Sequence, residues 1–198
     1  MKEMREPAFS GTFYPGNPEV LSRDIKRYLE NAGKEKVEGE IVALVSPHAG
    51  YIYSGQVAAC AYQLIEGKVF NTVIVIAPSH RVLFKGASIY DRGGYQTPLG
   101  LVPIDVELSK KLMEGRKEIQ FLPEAHVQEH SLEVQIPFLQ IALKSFRLVP
   151  IVFEPYWNLE RCQTLASAIA EAVKGQNILL IASSDLSHFH PYEKAVEL

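Results

Sequence analysis

Four short apolar runs constrain the fold of this chain more than any other feature: IVALV (41–45), TVIVIA (72–77), RLVPIVF (147–153) and ILLIAS (178–183). Each has strand length and little polar alternation, so each reads as a strand buried on both faces. RLVPIVF carries Pro150, which predicts an edge position or an irregularity. Helical patterns with terminal signals alternate with these runs. Asn17-Pro18 opens one whose apolar stripe is Leu21, Ile25, Tyr28 and Leu29, and Gly33 stops it. Ser54 is expected to cap a helix to about Glu66, before Gly67. Asp105 caps a short helix ending at Gly115, and Asn158 caps one running to about Lys174, before Gly175. Residues 131–143 look helical, with a kink or a later start because of Pro137. Residues 85–90 and 118–122 read as further strands, the first of them more exposed. Strands alternating with capped helices imply a three-layer α/β fold, its central sheet largely parallel or mixed with helices on both faces.

Composition bounds the function. The chain has 198 residues, which suits one domain, and 47% hydrophobic residues, enough for a substantial core. A net charge of −3 offers no basic stripe for nucleic acid and no polybasic membrane patch. No apolar run approaches the roughly 20 residues of a membrane span, and MKEMREPAFSG lacks the apolar core of a signal peptide, so a cytoplasmic protein is expected. Cys60 and Cys162 match no metal-knuckle spacing and are expected to be small buried hydrophobes.

The histidines carry the chemistry. IVALV runs into SPHAGY, placing His48; TVIVIA runs into PSH, placing His80; ILLIAS runs into SDLSHFH, placing Asp185, His188 and His190. Ligands of open α/β sheets bind at the carboxyl ends of the strands, so His48, His80 and His188 are expected to face one cleft. His190 precedes Pro191 and shapes a turn. His126 and His130 lie in PEAHVQEHSLEVQ, beside Glu129 and Glu133 and ahead of a helix N-terminus. Neutral imidazole is the commonest transition-metal ligand, and two His with one carboxylate make the facial set of non-haem Fe(II) sites. His48 and His80 would supply the imidazoles; Asp185, Glu129 or a residue outside this chain would supply the third ligand. A further histidine would suit a general base. Without a metal the cleft could do acid–base hydrolysis, but there is no G-x-S-x-G elbow, and no phosphate-loop or dinucleotide fingerprint. Gly93-Gly94 followed by Tyr95 would form either a lid or an ordinary hairpin, and Tyr51 and Tyr53 either pocket wall or core.

PAFSGTFYPGNP, SPHAGYIYSG, APSH, YQTPLG, EHSLEVQIPFL and SSDLSHF occur in the order seen in the Memo family, which the chain resembles over essentially its whole length. That family is similar in fold to the LigB-type class III extradiol dioxygenases, which open aromatic diols with O2 at a non-haem Fe(II). The resemblance implies that His48 and His80 match the metal-binding histidines and that His188 matches the catalytic histidine, with Asp185 beside it; His130 matches a family histidine of less defined role. It implies Fe(II) or Cu as cofactor, and a redox enzyme of dioxygenase type. Animal members are also described as signalling adaptors, so the other expectation is a binding module for a small molecule or peptide. Memo proteins carry a third metal-site residue, usually Cys where the dioxygenases have Glu, in a later segment. This chain ends at Leu198, soon after SSDLSHFHPYEK, and is expected to lack that segment and to hold metal weakly or not at all without it.

Overall fold

A computed structural model describes residues 4–33, 37–154 and 158–197. The elements follow in chain order: β1 (Met4–Arg5), α1 (Pro18–Asn31), β2 (Ala43–Ser46), α2 (Tyr51–Gln63), β3 (Thr72–Pro78), β4 (Ala87–Ile89), β5 (Gly94–Thr97) and β6 (Gly100–Pro103). Next come α3 (Val106–Met113), β7 (Ile119–Gln120), α4 (Glu124–Val127), α5 (His130–Glu133), α6 (Gln135–Ala142) and β8 (Arg147–Phe153). The last are α7 (Leu159–Ala172), β9 (Ile178–Ser183) and α8 (Tyr192–Glu197). Six strands form the central sheet in the order β2-β9-β3-β8-β4-β7, and β1-β5-β6 form a small second sheet. β2, β9, β3 and β8 are mutually parallel, whereas β4 runs antiparallel to β8 and parallel to β7, so the main sheet is mixed.

The buried runs place this sheet between two apolar layers. Val73, Val75 and Ala77 of β3 join the larger core with Leu21 and Ile25 of α1, Tyr62 of α2 and Phe138 of α6. The alternate residue Ile74 joins a second core with Leu112 of α3 and Leu165 and Ile169 of α7. Side chains two apart share a sheet face, so a strand apolar at every position needs cover on both sides. The layers are helix, sheet, helix, which is the three-layer α/β arrangement. α1 lies on α2 where Gly55 leaves room: a Cβ there would sit 2.9 Å from the Tyr28 ring.

The caps at Asn17, Asp105 and Asn158 form as expected, each side chain accepting a backbone N–H of the first turn. Other expectations fail, or hold in only one of their forms, for identifiable reasons. Ser54 does not cap α2; the helix starts one turn earlier, after Gly50, and Ser54 Oγ donates to Ala49 O. Residues 131–143 show the later start expected of Pro137: they divide at Val134 and α6 starts at Gln135, so Pro137 sits in its first turn where no intrahelical N–H is needed. β8 is an interior strand, not an edge. Pro150 O accepts from Tyr90 N, so the missing Pro150 N–H faces β4 just past the last paired residues, Ile89 and Ile151, where it forgoes only the reciprocal bond at the end of that ladder. β4 is fully buried rather than exposed, because β7 closes the sheet beyond it. β2 is an edge strand with Val45 exposed, since the second core draws no residue from it. Cys60 and Cys162 are exposed, not buried. Cys60 falls off the buried phase of α2 (Tyr51, Gly55, Ala58, Ala59, Tyr62), and Cys162 precedes the buried stripe of α7, which begins at Leu165.

Gly93-Gly94 lead into the β5–β6 hairpin, with Tyr95 in the core, so this segment is a hairpin and not a lid. Gly86 (φ +94°) brings β4 beside β7, and a Cβ there would lie 2.1 Å from Glu118 O. Gly86→Ala is therefore expected to lower stability by about 2 kcal/mol, read as a lower urea midpoint at unchanged slope. Among the described residues no helix is long and apolar enough to cross a membrane.

Candidate metal centre

β2, β9 and β3 are adjacent and parallel, with Ser46 level with Ser183 and Ile76 level with Ala182. Each strand carries its chain past the same sheet edge, delivering His48, Asp185 and His80 to one place. His130 arrives from another direction, as the first residue of α5. Its neighbour Ser131 is stapled across the strand ends: Ser131 Oγ donates to Pro78 O (2.8 Å), and Ser183 Oγ donates to Ser131 O (2.7 Å). His48, His80 and His130 each then offer a ring nitrogen within 4.8 Å of the other two. The ring centroids lie 5.2 Å (His48–His80), 5.7 Å (His48–His130) and 4.5 Å (His80–His130) apart. The third imidazole of the cluster is thus His130, where the sequence alone points to Asp185, Glu129 or a residue outside the chain as third ligand.

Polar groups behind the rings hold them. His80 Nδ1 lies 2.9 Å from Glu129 Oε1, and its backbone N–H donates to Glu129 Oε2 (2.6 Å). His48 Nδ1 meets Ser183 Oγ at 3.1 Å, and its backbone N–H donates to Asp185 Oδ1 (2.6 Å). Phe9 and Phe13 pack on the His130 ring at 5.4 and 4.7 Å, which gives PAFSGTFYPG its place against the site. Burial raises the Glu129 carboxyl, but hydrogen bonds from His80 and Ser131 outweigh it and hold the group down at about 2. Burial lowers His48 despite Asp185, and lowers His130 to about 4, so both are neutral at pH 7, the form that ligates a metal.

The donor set fits a transition metal. His130 Nδ1 is buried and makes no hydrogen bond among the described residues, lying 3.4 Å from Glu129 Oε1, and Asp185 Oδ2 makes only ion-pair contacts, the nearest to His188 Nδ1 at 2.8 Å. Asp185 Oδ2 also stands 3.7 Å from His48 Nε2. Imidazoles with an adjoining carboxylate suit iron, copper or zinc better than the all-oxygen cations.

His188 stands at the same edge, its Nδ1 2.8 Å from Asp185 Oδ2 and its ring half exposed. Leu186 (φ 56°) and Phe189 (φ 57°), on either side of it, both adopt the left-handed region, which bulky residues seldom visit. A cleft of about 780 Å³ runs along His80, His130, Asp185 and His188, walled by Phe13 and Tyr53. Tyr51 is core instead, its hydroxyl donating to Val134 O (2.7 Å). His190 is exposed. The sequence reading gave Ser183 no part, although it closes the ILLIAS run; the signal was present only as a hydroxyl at a strand terminus.

His126 lies away from the cluster, wholly buried between Tyr95 Oη (2.6 Å) and Ser88 Oγ (2.9 Å). Burial, assisted by Arg5, lowers it from 6.5 to about 3. Below pH 6.5 the unfolded chain takes up a proton that the folded chain refuses. Stability present above that pH is therefore lost as pH falls toward 3, by up to ~1.4 kcal/mol per unit from this group. Urea unfolding at pH 7 and pH 5 should show His126→Gln losing about 2 kcal/mol less than the unsubstituted chain over that interval.

Comparison with known proteins agrees with this geometry. The family model described as "Memo-like protein" matches residues 5–197. A "MEMO1 family protein" of Aquifex aeolicus is 39% identical over 195 residues, covering 97% of this chain and 70% of that protein. Those of Nitrosopumilus maritimus and Sulfolobus acidocaldarius are 34% and 37% identical, each covering 98% of this chain and 74% and 73% of the relative. With its motifs in family order and His48, His80, His130 and His188 gathered at one sheet edge, the chain belongs to the Memo family.

Proposed function

We propose that the His48/His80/His130 cluster holds a redox-active transition metal, iron or copper, and that the protein acts as an oxidoreductase using O2 or a related oxidant. The observation that carries this reading is the convergence of three imidazoles within 4.8 Å, two of them fixed from behind by Glu129 and Ser183. A bound iron or copper would supply one-electron chemistry and open positions for substrate and oxidant. The chain's own residues do the rest. Asp185 ties the His48 backbone to the His188 ring, so His188 is held through Nδ1–H beside the cluster with solvent access, leaving Nε2 to take or return a proton. Phe13 and Tyr53 give the cleft an apolar wall that would orient a small organic substrate.

The same wall supports a second reading, a binding module that takes a small molecule or peptide without turnover. One experiment separates the two. The intact, untruncated protein is purified without oxygen, offered Fe(II) or Cu, analysed for bound metal, and assayed for O2 uptake with catechols and with reductants. Bound metal with O2 consumption supports the oxidoreductase; bound metal without consumption supports the binding module; no bound metal sinks the redox reading.

A further inference from the structure

Resting on the metal-site reading above, we propose that Ser183 and Glu129 are positioning residues that lock His48 and His80 as Nδ1–H tautomers and so aim both Nε2 lone pairs at the shared site. Proton counting around Ser183 decides the first half. A serine hydroxyl has one hydrogen to donate and two lone pairs to accept. Ser183 Oγ gives its hydrogen to Ser131 O (2.7 Å) and accepts one from Gln135 Nε2 (2.8 Å). Its remaining contact, His48 Nδ1 at 3.1 Å, must then be an imidazole N–H donating to oxygen. His48 therefore keeps its proton on Nδ1 and its lone pair on Nε2.

The second half follows from Glu129. Its Oε1 accepts from Ser131 N (2.9 Å) and its Oε2 from His80 N (2.6 Å), so the group faces His80 Nδ1 (2.9 Å) as an acceptor. His80 must also donate from Nδ1. Arg5 Nη2 donates to Glu129 O (2.9 Å), and Gln135 Nε2 also reaches Pro47 O (2.9 Å), so each lock is itself anchored to fixed backbone. Partners behind a ligating imidazole set its ring angle and its tautomer, and their loss typically weakens metal binding by about 10–100-fold. His130 Nδ1 stands 3.4 Å from the same Glu129 Oε1 without forming a hydrogen bond, so among the described residues its ring has no such lock.

The test begins with the metal-free, unsubstituted protein. Long-range 1H–15N correlation spectra of its imidazoles should show His48 and His80 as Nδ1–H tautomers, against the Nε2–H form favoured in free histidine. Finding either ring as Nε2–H overturns the proposal, and this measurement needs no variant to fold. Co(II) titration against a chelator follows for Ser183→Ala and Glu129→Gln. Each should weaken Co(II) by about 10–100-fold and alter its visible absorption. The Ser183→Ala loss should vanish in a His48→Ala background, and the Glu129→Gln loss in a His80→Ala background. Equal losses with and without the paired imidazole would show general structural damage and reject the lock. Should the unsubstituted protein bind no Co(II), the metal-site reading fails while the spectra still decide the tautomers.

Discussion

His48→Ala and His80→Ala are each expected to lower Co(II) or Cu affinity by at least about 100-fold, more than the loss of a partner behind the ring. Each removes one of three converging nitrogens, and the groups left behind cannot compensate. Glu129 is engaged by His80 and Ser131 N–H groups, Asp185 Oδ1 by the His48 N–H and Asp185 Oδ2 by the His188 ring. Both backbone N–H bonds survive alanine substitution, because they do not involve the ring. The urea midpoint should therefore move little while metal affinity collapses. Competition titration beside an unfolding curve on the same preparation checks both halves. Unchanged affinity in both variants would move the site elsewhere.

Glu133→Ala is expected to lower stability by about 3–5 kcal/mol. Glu133 is fully buried and gathers four donors: the Arg5 guanidinium, Ala8 N, Phe9 N and Tyr14 Oη. Burial, then the Glu133 charge, pushes the Tyr14 phenol upward, so it remains a donor. Removing the carboxylate leaves a buried guanidinium whose other bonds, to His126 O and Glu129 O, go to neutral carbonyls. Two backbone N–H groups lose their acceptor as well, and each such loss is costly. Urea unfolding measures the effect, and Glu133→Gln, which keeps an acceptor oxygen, should lose less. The consequence reaches the site: Phe9 and Phe13, anchored through this hub, pack on His130. Loosening residues 5–14 should free the His130 ring, visible as broader or averaged imidazole signals.

Much of this was legible in the chain because it depends on local pattern. β3 and β9 are apolar at nearly every position, and such runs have few alternatives to a doubly covered strand. Asn17, Asp105 and Asn158 cap their helices because a short polar side chain reaches its own next turn whatever surrounds it. The histidines at the ends of β2 and β3 were legible for a related reason, since a strand end has one place to be. Failures came where the answer lies in neighbours. Pro150 suggests an edge or an irregularity, and only the end of the β4 pairing beside it decides between them. Cys60 looks apolar until the phase of α2 turns it outward. The run 41–45 looks buried until β2 proves to be the last strand on its side.

The sequence by itself determined that this protein has an α/β architecture, that its histidines follow its strands, and which family its motifs resemble. Those are matters of periodicity and order, written residue by residue. Only the tertiary structure decided that His130 completes the trio, that His126 belongs to the core, and that Ser183 and Glu129 stand behind two of the rings. His130 lies 50 residues beyond His80 and 82 beyond His48 along the chain. What joins them is the strand order β2-β9-β3 and a pair of serine hydrogen bonds across its end. Contacts of that kind follow from which strands pair, a choice made by packing of the whole core rather than by any segment of it.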